Sequence, residues 1–182
     1  MRRRSNIIPH LAFLILLALP SLSHPFNLTL NNTPTQVYFS PHGGCTEAII
    51  REIDHAKTEV LVQAFSFTSV PIAKALINAH KRGIKVLAIL DKSQKSVKYT
   101  SAAFLADMGI PTYIDSAHAI AYNKVMVIDR EIVITGSFNF TKGAEEKNAE
   151  NLLIIRSKDL AKPYMDNWNQ HKGHSEPYPA RY

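Results

Sequence analysis

The sequence predicts an α/β fold in which a mixed β-sheet lies sandwiched between helices, and three observations lead there. Apolar β-branched runs alternate with segments of helical periodicity, the pattern of strands covered by helices. One run, Glu59–Phe67, is nearly apolar on both faces, as a central strand covered by helices is, and Lys85–Leu90 is a further apolar strand. In a third region, Lys124–Asp129 and Ile132–Thr135 read as the two strands of a hairpin joined across Asp129-Arg130-Glu131.

In chain order, residues 24–35, with Asn31-Asn32-Thr33-Pro34-Thr35, form a linker, and the domain spans 36–170. Val37–Ser40 is a short strand, and Pro41-His42-Gly43-Gly44 a loop whose His42 is within reach of a site, although loop histidines usually have no role. Thr46–Lys57 carries Ile49, Ile50, Ile53 and Ala56 at helical spacing. Glu59–Phe67 follows as a strand, and Gln63 within it reads as a satisfied structural amide. Pro71–His80 places Ile72, Ala73, Leu76 and Ile77 on one face, with proline at its start and Gly83 just past its end. Lys85–Leu90 is a strand ending at Asp91, and Lys92, Lys95 and Lys98 sit in or beside the polar surface loop Gln94–Tyr99. Ala102–Met108 is a short helix stopped by Gly109. Thr112–Ile114 is a strand, and Ser116–Ala121 leads into the hairpin. Asn151–Ile155 is a last strand, Leu160–Trp168 a final amphipathic helix, and 171–182 a polar tail.

The 182 residues suffice for one domain with a real core. Arg2-Arg3-Arg4, the apolar run Leu11–Leu19, Pro20 and the small residues Ser21 and Ser23 follow the plan of a secretory signal over 1–23. An exported protein, periplasmic or secreted, is expected; an uncleaved anchor is the alternative, although the run falls short of the roughly 20 apolar residues of a span. Removing 1–23 would take away three of the 21 Lys and Arg and none of the 15 Asp and Glu, lowering the formal charge from +6 to +3. Charge alone is therefore a weak argument for a nucleic-acid partner. Cys45 is the only cysteine, which excludes an intramolecular disulfide; it reads as a small buried residue near a helix start, with a dimer-linking disulfide as the alternative. The eight histidines show no metal-ligand spacing apart from His171 and His174, which read as part of the solvent-exposed tail, so no metal site and no cofactor are expected.

The hairpin gathers the polar chemistry. Side chains two apart on a strand share a face, so position 122 projects with Lys124, and Ser137 with Asn139. With the turn centred on Arg130 and Glu131, residues whose numbers sum to 261 face each other, which sets 122 opposite Asn139 and Lys124 opposite Ser137. An odd-numbered loop shifts the register by one and scatters them. Gly136, lacking Cβ, leaves room for a ligand near the backbone.

Lys124, four residues, Asp129, six residues, then Gly136-Ser137-Phe138-Asn139 resembles the H-x-K-x4-D-x6-G-S-x-N signature of the phospholipase D superfamily, except that Tyr122 stands where the family has its histidine. Phe140-Thr141-Lys142 and Lys147-Asn148-Ala149-Glu150-Asn151 are similar to the small single-motif bacterial endonucleases of that superfamily, and the likeness runs from about Val37 to Trp168. The resemblance implies a half-site α/β domain and metal-independent cleavage through a phosphohistidine. In that scheme Lys124 and Asn139 hold the phosphate, Ser137 and Asp129 support the site, and Glu150 orients the nucleophile. No second Lys-x4-Asp copy exists, since Lys85 and Asp91 are one residue too far apart, and a single motif implies a homodimer that completes the site.

Tyr122 bears on both catalytic jobs, because in a homodimer nucleophile and acid would come from the same position. An imidazole titrates at about pH 6.5 and a phenol at about 10, so a phenol is a poor base at neutral pH. Three readings follow: an inactive form that still binds phosphate, a tyrosine nucleophile, or a loop that folds His118 back into the site across the roughly 13 Å that four extended residues span. The expected function is an exported phosphodiesterase acting on DNA or RNA. A phospholipase acting on phospholipid head groups and an inactive phosphate- or nucleic-acid-binding protein are the alternatives. The sequence shows no apolar surface beside the site of the kind a lipid substrate needs.

Overall fold

The computed structural model describes residues 25–96 and 100–181. The segment read as a secretory signal, 1–23, and Lys98 lie outside the described residues. Where the chain alternates apolar runs with helical spacing it forms β1 (Thr35–Ser40), α1 (Cys45–Asp54), β2 (Glu59–Ala64), α2 (Val70–Lys81), β3 (Lys85–Asp91), α3 (Ser101–Asp107) and β4 (Thr112–Asp115). The hairpin strands β5 (Lys124–Ile128) and β6 (Ile132–Gly136) follow, then α4 (Lys142–Glu146), β7 (Glu150–Arg156), α5 (Lys158–His174) and β8 (Glu176–Pro177). The strands make one mixed sheet in the order β1-β7-β6-β5-β2-β3-β4-β8, parallel across β2, β3 and β4 and antiparallel elsewhere.

The two-residue period of the central strands sorts their side chains between two cores. Val60, Val62, Met126, Ile128 and Ile134 pack with Ile49, Ile53, Ile72 and Leu76 of α1 and α2. Leu61, Val125, Val127 and Val133 meet Ala161 and Trp168 of α5 on the other face. Trp168 is fully buried, and its indole N–H donates to the Val62 carbonyl at 2.9 Å, so the ring is both packed and satisfied. Helices cover both faces of the sheet, as expected.

Three elements carry no apolar periodicity and were not expected: α4, β8 and the last turn of α5. Polar contacts make the first of them. Thr141 Oγ1 accepts from Ala144 N, and the Glu145 carboxylate accepts from Gly44 N and Thr46 N at the start of α1. Cys45 begins α1 fully buried, its thiol pushed up to about 11 by burial and by Glu145, which fits a packing residue and not a dimer-linking one.

The hairpin register differs from expectation by one residue. Met126, Val127 and Ile128 pair with Ile134, Val133 and Ile132, so partners sum to 260 across a three-residue turn. Asp129 and Arg130 take left-handed conformations there, with φ 53° and 58°. An odd turn should scatter the polar set if β6 ran on as a regular strand, but β6 ends in a bulge. The amides of Ser137 and Phe138 both donate to the single carbonyl of Asn151, at 3.1 Å each. Two residues thus oppose one and the regular pairing stops; Phe138 stays in the core with Met126 and Ile134, while Ser137 and Asn139 line one cleft with Lys124. Gly136 makes this possible: its φ is +145°, and a Cβ there would lie 2.3 Å from Asn151 O. Its glycine is required by the neighbouring strand rather than by an approaching ligand.

Gly136→Ala should therefore cost about 3 kcal/mol or more, from backbone strain and overlap together, when measured by chemical denaturation. A variant as stable as the parent would show that the bulge is not what fixes the end of β6.

Candidate active site

A cleft of about 190 Å³ opens where the N-terminal ends of β5 and β7 adjoin the C-terminal end of β6, lined by Tyr122, Lys124, Gly136, Ser137, Asn139 and Glu150. Five of the six side chains singled out in the sequence meet here. Asp129 does not: it lies at the other end of β5, about 17 Å from Lys124 at the rise of an extended strand.

Lys124 is buried, with 6% of its surface exposed. Burial holds its ammonium below the ordinary lysine range, and the charge of Glu150 works in the opposite direction. Its Nζ donates to the Tyr122 carbonyl at 3.2 Å and lies 3.2 Å from the centre of the Tyr122 ring, a close cation–π contact. The Tyr122 ring also packs against Phe65, centroid to centroid 4.6 Å and tilted by 43°, where Phe65 N donates to Asn123 O and prolongs the β2–β5 pairing by one step. The phenol is well exposed, at 63%. The residue in the histidine's position thus occupies one face of the lysine.

The other groups offer donors. Ser137 Oγ accepts from the Asn151 backbone N at 3.0 Å and from its side-chain amide at 3.3 Å. With both acceptor positions filled, its hydroxyl proton is what remains to give. Asn139 Oδ1 is buried without a hydrogen-bond partner, and rotating that amide would present its N–H instead. Glu150 accepts from Asn148 Nδ2 at 3.2 Å. One cation, a hydroxyl and an amide facing a single cleft suit an anion with several acceptor oxygens.

Asp129 has a different task. Its carboxylate accepts from the backbone N–H of Lys57, Thr58 and Glu59 at 2.9, 2.7 and 3.1 Å, and from Thr58 Oγ1 at 2.8 Å. Burial raises its pKa, but these four bonds outweigh it and hold the carboxyl below the ordinary range. It ties the hairpin turn to the start of β2. A larger cleft of about 690 Å³ opens there. Three of its charged groups are engaged there, Asp129 as described and Arg156 with Glu52 at 2.6 Å.

His118 is not available to the site either. Its Nδ1 is 3.0 Å from Asp115 Oδ2, and its ring stacks on His171 at 4.8 Å. The reading of His171 and His174 as residues of a tail in solvent is corrected with it. His171 and His174 stand in α5, and His171 Nδ1 is 2.7 Å from the same Asp115 oxygen. The spacings Asp115-x2-His118 and His171-x2-His174 were the signal in the sequence. Asp91 was also missed: buried at the end of β3, it accepts from Ser93 N at 2.8 Å and Ala121 N at 2.7 Å, fixing the chain one residue before Tyr122. Lys92 donates to His118 O at 3.0 Å and Lys95 pairs with Glu176 at 2.8 Å, so neither cation is simply solvated. Ile120, two residues before Tyr122, is 60% exposed.

A family model described as "Cardiolipin synthase, PLD-like domain" matches residues 49–172. A protein named Phospholipase D from Rickettsia felis is 41% identical over 154 residues, covering 84% of this chain and 76% of its own. Among solved structures, Nuc from Salmonella typhimurium, a phospholipase D family member, matches with a TM-score of 0.79 at 36% identity, over 81% of this chain and 99% of its own. NucT from Helicobacter pylori shares the fold at a TM-score of 0.73 and 23% identity, over 80% of this chain and 99% of that one.

The Asp129 network predicts a pH-dependent stability. Because the folded-state pKa is depressed, the contribution is complete above the ordinary carboxylate range of about 4 and is lost as pH falls through the folded value. Asp129→Asn, which tolerates the left-handed turn, should lower stability by about 2 kcal/mol at neutral pH, with the gap closing below about pH 4 in urea titrations. A gap independent of pH would show that the carboxylate charge is not what holds the turn.

Proposed function

The chain belongs to the phospholipase D-like family, and from that premise we propose that it is an exported phosphodiesterase that grips one phosphodiester of a nucleic acid in the Lys124 cleft. One observation carries the reading: Lys124, Ser137 and Asn139 converge, through the bulge, on a cleft that also holds Glu150. Such a set can neutralise and hydrogen-bond the non-bridging oxygens, so binding needs no metal. The cleft supplies one position for a nucleophile or acid, at 122, and two are needed for attack and leaving-group protonation. A homodimer that brings two such clefts together supplies the second.

Tyr122 limits turnover in this reading. A phenol replaces the group that would both attack phosphorus and carry the proton near neutral pH, and its ring engages Lys124, the cation meant for the phosphate. A phospholipid is the second reading, supported by the exposed Tyr122 at the cleft, by the exposed Ile120 two residues before it, and by the name of the Rickettsia relative.

Tyr122→His should raise chelator-resistant cleavage of plasmid DNA by at least about 10²-fold over the parent assayed side by side, with fold unchanged. No gain would remove position 122 from the chemistry. Should the parent already cleave well, abolished activity in Tyr122→Phe would make the phenol the nucleophile. Hydrolysis of phosphatidylcholine vesicles with intact plasmid would put lipid first. Lys124→Ala should weaken salt-sensitive nucleic-acid binding, and indifference to it would refute the cleft as the phosphate site. Light scattering should report a dimer at micromolar concentration; a strict monomer would leave half a site.

A further inference from the structure

Away from the Lys124 cleft, four side chains with metal-ligating atoms close on one point. Asp115 is the last residue of β4 and fully buried; His118 follows three residues later; His171 and His174 are one turn apart at the end of α5. One ligand atom from each of the four lies within 4.8 Å of every other. Asp115 Oδ2 is 3.0 Å from His118 Nδ1, 2.7 Å from His171 Nδ1 and 3.4 Å from His174 Nε2.

We propose that Asp115, His118, His171 and His174 bind one divalent transition-metal ion of the zinc class, which fastens the end of α5 and the segment leading to Tyr122 onto β4. Ligands at about 2.0 Å from a tetrahedral zinc stand about 3.3 Å apart. The three carboxylate-to-imidazole distances are already close to that edge, and the imidazole nitrogens need to draw together by no more than about 1.5 Å. The side chains of His118 and His174, 45% and 38% exposed, have room to turn, and they leave the ion a path from solvent. Three imidazoles and a carboxylate suit zinc, cobalt, nickel or copper, whereas magnesium and calcium seek oxygen alone. Four protein ligands complete the tetrahedron, which makes the ion structural.

A cluster held by hydrogen bonds alone accounts for the geometry less well. Three imidazole nitrogens and one amide crowd the Asp115 carboxylate: His171 Nδ1 and His174 Nε2 stand at Oδ2, His118 Nδ1 bridges both oxygens at 3.0 and 3.1 Å, and Ala117 N donates to Oδ1 at 3.1 Å. A metal ion relieves that crowding, because each imidazole then offers a lone pair instead of competing to donate a proton. It also balances a carboxylate charge that is wholly out of water. The consequence for the fold is specific. His118 is further held by Lys92, Ala121 by Asp91, and Tyr122 follows, so the ion braces the approach to the cleft without entering it.

Untagged protein, stripped with chelator and dialysed, is titrated with zinc chloride and with cobalt chloride. Elemental analysis after gel filtration should find one zinc per chain, cobalt should give the intense visible bands of a tetrahedral ion, and zinc should raise the Tm. The His171→Ala/His174→Ala double variant should lose the ion, and His174→Gln, at an exposed ligand, should weaken it by more than the about 10- to 100-fold typical of losing an outer partner. Parent protein that retains no zinc, a weak octahedral cobalt spectrum, equal uptake of magnesium, or unchanged stoichiometry in the variants would each overturn the proposal. None of these readouts requires turnover, so they stand apart from the fate of the phosphodiesterase reading.

Discussion

The carbonyl oxygen of Asn151, which accepts the amides of both Ser137 and Phe138, is the contact on which the cleft depends. A side-chain period of two means that any odd loop between paired strands exchanges one face for the other. The turn at Asp129-Arg130-Glu131 is odd, and regular pairing carried on past Gly136 would set Ser137 and Asn139 away from Lys124. The regular pairing ends in the bulge instead, and only a glycine at 136 lets β7 approach closely enough to take both amides. The bulge is thus a condition of the site, placed where a sheet is re-aimed most cheaply.

Within the cleft, electrostatics and packing pull on the same lysine. Burial disfavours the ammonium and Glu150 favours it, so a charged Lys124 is poised for an anion that would complete its neutralisation. Tyr122 answers part of that demand from the side, through its ring face and its carbonyl. The position where the family motif has its histidine is filled by a partner of the cation.

Three buried or partly buried aspartates organise the loops around this centre. Asp129 gathers the backbone amides at the start of β2, Asp91 holds Ala121, and Asp115 gathers three histidines. Burial raises the pKa of each, and hydrogen bonds to the charged form more than restore it. Carboxylates that accept several donors in one place are rigid anchors, and each stands at or just past the end of a strand where a loop must be fixed.

The sequence by itself determined the α/β class, the central apolar strands and the helices with an apolar face, which follow from periodicity that a linear chain displays directly. That Lys124, Ser137, Asn139 and Glu150 line one cleft was legible through the motif they resemble, not through the register inferred for the hairpin. The sequence could not show that Asp129 serves β2, because that requires amides 70 to 72 residues away. Nor could it show the bulge, whose signature is a hydrogen bond between strands, or α4 and β8, which have no apolar period and exist through polar contacts to distant segments. The histidine cluster is the clearest case. Two pairs at i, i+3 were visible, but they are separated by more than 50 residues, and only the packing of α5 against the end of β4 brings them to one carboxylate. What local sequence periodicity encodes can be read from the chain; what two remote segments make together exists only after the hydrophobic faces between them have closed.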